Sequence, residues 1–206
     1  MKLSVTPVRQ EKKPMQTVFE GRSRWIAPFR LMILGSVLLP VVAAAAVAQP
    51  YKARVRLPGF AQIIAMDTIA VRTDVPAPRL EVFQVAAAAI ETEFKIDLKI
   101  RDSTAGLVGN MELVKMRTLG RSPMSRYVSC GSGMTGPNAD SYRIYLAIIA
   151  MVDSIAPDKT RLGVALAAAA QDLQGSSKQP IACGSTGALE GQVRRLVAGR
   201  FGMRTQ

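Results

Sequence analysis

The chain has 206 residues, 49% of them hydrophobic and 20% charged, with a net charge of +12, two cysteines and no histidine. These proportions exclude a disordered chain and set the scale at one globular domain or at most two. Without histidine there is no Ser-His-Asp chemistry, and two cysteines alone do not complete a tetrahedral metal site, so no catalytic constellation, metal or cofactor is expected.

Seven basic residues and two acids occupy residues 1–30, ahead of an eighteen-residue uncharged run from Leu31 to Ala48 that closes on Ala46-Val47-Ala48. A positive flank, an apolar run and small residues at its end are the three parts of a secretory signal peptide, with cleavage expected between Ala48 and Gln49. The competing reading is a retained inner-membrane anchor, since about eighteen apolar residues is the lower edge of a membrane span. Pro40 and the alanines favour cleavage, and either reading places the rest of the chain outside the cytoplasm. Met15 is an alternative start that leaves a more ordinary basic region. Of the 27 basic and 15 acidic residues, seven and two precede Gln49, so the mature charge falls to +7. Basic residues interleaved with aromatics are absent, which argues against nucleic acid as a partner. The remaining surplus suits an envelope protein or an anionic envelope surface, with membrane contact only through an uncleaved signal segment.

Residues 49–62 carry Pro50, Pro58, Gly59 and three spaced basic residues, the composition of a flexible arm or linker, and the single mature domain is expected over residues 63–203. A short β-rich stretch, Asp67 to Arg72, stops before Pro76 and Pro78. From Leu80, apolar residues at Leu80, Phe83, Ala87, Ile90 and Phe94 keep the spacing of one helical face. Ile96, Leu98 and Ile100 then alternate with charged residues as in a half-buried strand, and Leu107 to Thr118 is its expected antiparallel partner. A long, glycine-rich connection follows, from Leu119 to Ser141. Tyr142, Ile144, Leu146, Ile148, Ala150 and Val152 can line one face of a strand, and Leu162, Val164, Leu166, Ala168 and Ala170 one face of the next, with a turn at Pro157-Asp158-Lys159. A helical pair is the alternative over 142–172, because Ala165 to Ala170 favours helix. A last helix is expected from Thr186 to about Arg200, with Leu189, Val193, Leu196 and Val197 inward and Ser185 or Thr186 supplying the cap oxygen.

The expected fold is α+β: an antiparallel sheet of four to five strands with two helices on one face and one disulfide. That element order is similar to the order in several small envelope proteins, transport-auxiliary and lipopolysaccharide-assembly lipoproteins among them; the similarity carries no shared motif and transfers no residues. Cys130 and Cys183 lie at comparable distances either side of Pro157-Asp158, each followed by Gly-Ser, and an exported location lets them pair. A further expectation is an anion or ligand site where the N-terminus of the last helix, with Ser185 and Thr186, meets Arg121, Arg126, Asn138 and Asp140 of the long loop. The function expected on these grounds is that of an exported, non-catalytic binding or scaffolding domain. The alternatives are a secreted enzyme that works without histidine and a membrane-anchored assembly subunit.

Overall fold

A computed structural model describes residues 53–175 and 178–203. In chain order the elements are β1 (Arg54–Val55), β2 (Ile64–Ala65), α1 (Met66–Ile69), β3 (Val71–Val75), α2 (Arg79–Phe94), β4 (Ile100–Asp102), β5 (Leu107–Met116), β6 (Thr118–Leu119), β7 (Ser122–Pro123), β8 (Val128–Ser129), β9 (Ser132–Gly133), β10 (Gly136–Pro137), β11 (Arg143–Ala156), β12 (Lys159–Gln171), β13 (Ile181–Ser185) and α3 (Ala188–Arg200). Two 3₁₀ turns, Met124–Arg126 and Asn138–Asp140, lie between the short strands. The signal segment, its cleavage residues Ala46, Ala48 and Gln49, and residues 50–52 lie outside the described residues.

The antiparallel hairpin β11–β12 is the centre of the fold, paired from Arg143 opposite Gln171 to Ala156 opposite Lys159 around Pro157-Asp158. The helical alternative for this region is excluded. Alanine in β12 accepts a strand because both faces of the hairpin are buried, so what each alanine gains by packing outweighs its local preference. Ile144, Leu146, Ile148, Leu162, Val164 and Leu166 face α2 and α3, whereas Ala147, Ile149, Ala165, Ala167 and Ala169 face the opposite side.

The sheet holds seven strands in the order β4-β5-β11-β12-β13-β8, with β3 also on β12, and every pairing is antiparallel. Four to five strands were expected, and the difference comes from short segments. The strands β8 and β13 are two and five residues long, too brief and too exposed to carry a period. Between Ile96 and Ile100 the chain is also less regular than its alternation suggests: Ile96 is buried, but only Ile100–Asp102 pairs, on β5. The stretch Asp67 to Arg72 divides into α1 and β3 instead of forming one strand.

The helix α2 presents Val82, Phe83, Ala86, Ala87, Ile90 and Phe94 to the core, and Leu80 is exposed. The helix α3 buries Leu189, Glu190, Val193, Val197 and Ala198 and leaves Leu196 outward. The two helices pack side by side on one face of the sheet, and Gln192 Nε2 donates to Glu93 Oε1 at 3.0 Å between them. Residues 53–62 do not behave as a linker. Ala53, Val55 and Leu57 are buried against the second face, and β1 pairs with β2. The alternation Ala53-Arg54-Val55-Arg56-Leu57 buries every second side chain, a strand period that the neighbouring prolines and glycine obscure.

The Leu119–Ser141 connection is built from two similar modules. In each, a two-strand hairpin ends in a proline and runs into a 3₁₀ turn: β6–β7 into Met124–Arg126, and β9–β10 into Asn138–Asp140. Ser125 of the first module donates from its N and its Oγ to the Asp140 carboxylate of the second, at 2.8 and 2.7 Å. Tyr127 stacks edge-on against Phe94 with ring centres 5.7 Å apart, which ties the first module to the end of α2.

Candidate functional site

Cys130 and Cys183 are disulfide-bonded with their Cα atoms 4.5 Å apart. The reason is local pairing. Val128 and Ser129 lie opposite Ser185 and Gly184, so the next step of the same register sets Cys130 opposite Cys183. A Cα separation of about 4.5 Å is that of a non-hydrogen-bonded cross-strand pair, the antiparallel position at which side chains come closest. The expected disulfide is present, and it joins neighbouring strands directly.

The other residues expected near the entrance of α3 take defined places. Thr186 donates from N to the Tyr127 carbonyl at 3.0 Å and from Oγ1 to the Arg126 carbonyl at 2.6 Å, so Arg126 contributes its backbone while its residue is exposed. Asn138 Nδ2 donates to the Cys130 carbonyl at 3.2 Å. Asp140 is engaged by Ser125, as described above. Of the expected residues only Thr186 lines the neighbouring cavity of about 370 Å³, with Ser125, Ser129, Cys130 and Ser132; Asn138 and Asp140 are held close by through their contacts to Cys130 and Ser125 but are not in its wall. Arg121 is not among them: it sits exposed on the β6–β7 turn, whose Gly120 lies against Glu93 and Phe94 at the end of α2.

The cap of α3 is Gly187, at φ 78°, and not Ser185 or Thr186. The two hydroxyls still serve the helix entrance, because Ser185 Oγ accepts from Gly187 N at 3.0 Å and Thr186 Oγ1 from Ala188 N at 3.3 Å. Ser185 Oγ in turn donates to Glu190 Oε1 at 2.6 Å. The acid at this positive helix end therefore belongs to the chain itself. Glu190 is only 2% exposed, and its Oε2 has no hydrogen-bond partner among the described residues. Leaving a buried acceptor unpaired costs about 1–3 kcal/mol, and more when it is charged.

Glu190 lines a second cavity, of about 240 Å³, with Phe60, Ile64, Ile69, Leu166, Ala167, Cys183, Gly184 and Ser185. Its position follows from the sheet. Along the edge of β12 away from β11, β3 pairs with Thr160–Val164 and β13 with Ala168–Ala170. No strand among the described residues pairs with Ala165–Ala167 on that edge. Successive residues of a strand direct their amide groups to alternate edges, so at least one of these three turns its N–H and C=O into the gap. The arm and α1 line this gap from one side of the sheet and Glu190 from the other. The disulfide stands between the two cavities, with Cys130 lining the first and Cys183 the second.

The sequence reading did not single out Glu190 or the gap. The available signal for Glu190 was its place three residues after Gly187, the spacing from a helix cap to the position where an acid reaches back. For the gap there was none, because it exists only where two short strands share one edge of a longer one. Comparison with known protein families, with curated proteins and with solved structures finds no match to this chain.

Proposed function

We propose that the chain is an exported envelope protein, periplasmic or secreted, whose folded part is a non-catalytic binding or scaffolding domain. The observation that carries this reading is the Cys130–Cys183 disulfide, since such bonds form and persist in oxidising compartments. The basic N-terminal segment, the apolar run and the Ala46-Val47-Ala48 ending agree with it. The lack of histidine favours binding over hydrolytic chemistry. Among the described residues, no helix is long and apolar enough to cross a membrane, so anchoring by a described helix is not part of the proposal.

Two measurements on the tagged full-length protein in a bacterial host test the reading. Intact mass of the exported species is expected to correspond to residues 49–206 with both cysteines oxidised. A pulldown from envelope extract is expected to recover a defined envelope partner. A chain confined to the cytoplasm with free thiols would overturn export, and retention of residues 31–48 would make the protein a membrane-anchored subunit.

A further inference from the structure

We infer that the strip of sheet surface left open beside the N-terminal arm, carrying Arg56, Val114, Met116, Arg117, Arg143 and Lys178, docks on an anionic lipid bilayer. The inference rests on the export reading above and gives its binding domain a surface and a partner.

The strip follows from strand register. On β11, Arg143 and Tyr145 share the side of Ala147 and Ile149, because alternate residues of a strand point the same way. The strand β5 sets Met116 opposite Arg143 and Val114 opposite Tyr145, and directly opposed residues share a face. The arm packs in one cluster with Ala147 and Ile149 but leaves Val114 53% and Met116 48% exposed. On the other side of β11, Arg143 is paired with Gln171, whose Nε2 donates to the Lys178 carbonyl at 2.8 Å. Gly59 of the arm packs against the Pro180 carbonyl, which brings the arm and its exposed Arg56 to the same end of the face.

Charge on this strip is one-sided. None of Arg56, Arg117, Arg143 and Lys178 forms an ion pair among the described residues. The acids of the adjoining chain are engaged elsewhere, Glu112 with Lys99 Nζ at 3.1 Å and Asp172 with the Gln174 amide at 2.9 Å. Arg117 is exposed at φ 65°, where glycine or asparagine is the low-cost residue, so a cation stands where the backbone favours a smaller side chain. Exposed apolar side chains among unpaired cations match the two contributions that hold a protein at a membrane interface, burial of apolar area and attraction to anionic headgroups. A second copy meeting the strip across a two-fold axis would set cation against cation. Nucleic acid calls for stacking aromatics, and Tyr145 is partly buried with its hydroxyl donated to Gln171 Oε1 at 2.7 Å. Chain length points the same way as charge. The apolar run closes at Ala48, five residues before Ala53, which is buried on this face, so an uncleaved precursor holds Ala53 within about 18 Å of the end of the run.

The test is vesicle co-sedimentation of the isolated protein, joined to peroxide footprinting of its methionines by mass spectrometry. Vesicles of equal parts phosphatidylethanolamine and phosphatidylglycerol are expected to bind it at low salt and to release most of it at about 1 M salt, whereas phosphatidylcholine vesicles leave it in solution. On the anionic vesicles Met116 is expected to oxidise at least fivefold more slowly, with Met134, fully exposed at the β9–β10 tip, unchanged. The pair Arg117→Gly and Lys178→Gln is expected to weaken binding about 25-fold, about fivefold for each cation removed from an anionic surface. Should that variant fail to fold, the salt dependence and the footprint of the unaltered protein decide. A protein isolated with residues 31–48 attached is judged by the footprint alone, with slowing at Met116 expected in anionic bilayers and absent in phosphatidylcholine. Equal binding of the cleaved protein to both vesicles, protection of Met134 in place of Met116, or protection of Met116 only by a protein recovered in the envelope pulldown would overturn the proposal. Export without charge-dependent docking sinks this surface alone, and docking by a chain that is never exported sinks the export reading alone.

Discussion

Asp74 shows how one side chain joins local charge to the sheet. It stands opposite Arg161 in the β3–β12 ladder, with Arg161 Nε 3.0 Å from Oδ1 and Lys159 Nζ 3.2 Å from Oδ2. Hydrogen bonds from Arg161 and then Lys159 hold its carboxyl below the usual aspartate value. A depressed acid stabilises the fold above its unfolded pKa and loses that contribution as pH falls through the lowered folded value. A carboxyl-detected NMR titration should therefore place the Asp74 midpoint below that of an unstructured aspartate, and Arg161→Ala should move it upward. An unchanged midpoint in that variant would show that the pair carries no weight. Elsewhere, Thr160 is fully buried and donates from Oγ1 to the Ala77 carbonyl at 2.7 Å, which satisfies an acceptor in the connection between β3 and α2.

At the level of elements, the pairing of β5 with β11 departs from simple alternation for a visible reason. Leu146 pairs with Leu113 but Ile148 pairs with Asn110, so Met111 and Glu112 together oppose Ala147 in a bulge. The buried Asn110 side chain holds this irregularity: Nδ2 donates to the Asp97 carbonyl at 2.8 Å and Oδ1 accepts from Glu112 N at 2.9 Å. Gly109 precedes it at φ 155°, where a Cβ would collide with the Ile148 carbonyl oxygen. Gly109→Ala is therefore expected to destabilise the fold by roughly 2–4 kcal/mol, through overpacking against the neighbouring strand and backbone strain. Chemical denaturation measures this, and a loss below about 0.5 kcal/mol, the range of neutral surface changes, would contradict it.

For the molecule as a whole, the disulfide joins the two-module loop to the β13–α3 entrance across a sequence separation of 53 residues. Closing a loop of that length restricts the unfolded chain by about 4 kcal/mol in the chain-entropy account. Replacing both cysteines with serine should therefore lower the midpoint of denaturation without changing the fold, read by comparing oxidised, reduced and double-variant protein. Equal midpoints in all three would show that the β8–β13 pairing and the Phe94–Tyr127 contact hold the loop unaided. Compartment belongs to this scale too. The export reading expects an exported chain whose mass begins at Gln49, and the same spectrum reports whether the disulfide is closed.

Periodic, strongly apolar segments were legible from the residues alone: α2, α3 and the β11–β12 hairpin each repeat their buried positions over several turns or pairs. The pairing of Cys130 with Cys183 was also legible, since each chain end of that hairpin delivers one cysteine to the same region. The number of strands was not, because β8 and β13 are too short to show a period and are strands only by virtue of the neighbours they find. The arm at residues 53–57 was misread because composition spoke of a linker while the alternation of its five residues spoke of a strand. Of the candidate site, Ser185 and Thr186 could be named from their place before a helix, but Glu190 and the gap beside it could not. Whether a carboxylate three residues into a helix meets water or is enclosed depends on the arm, β12 and β13, which converge from distant parts of the chain. Local spacing sets which faces are apolar; only long-range packing decides which polar group those faces enclose and where a sheet edge is left unpaired.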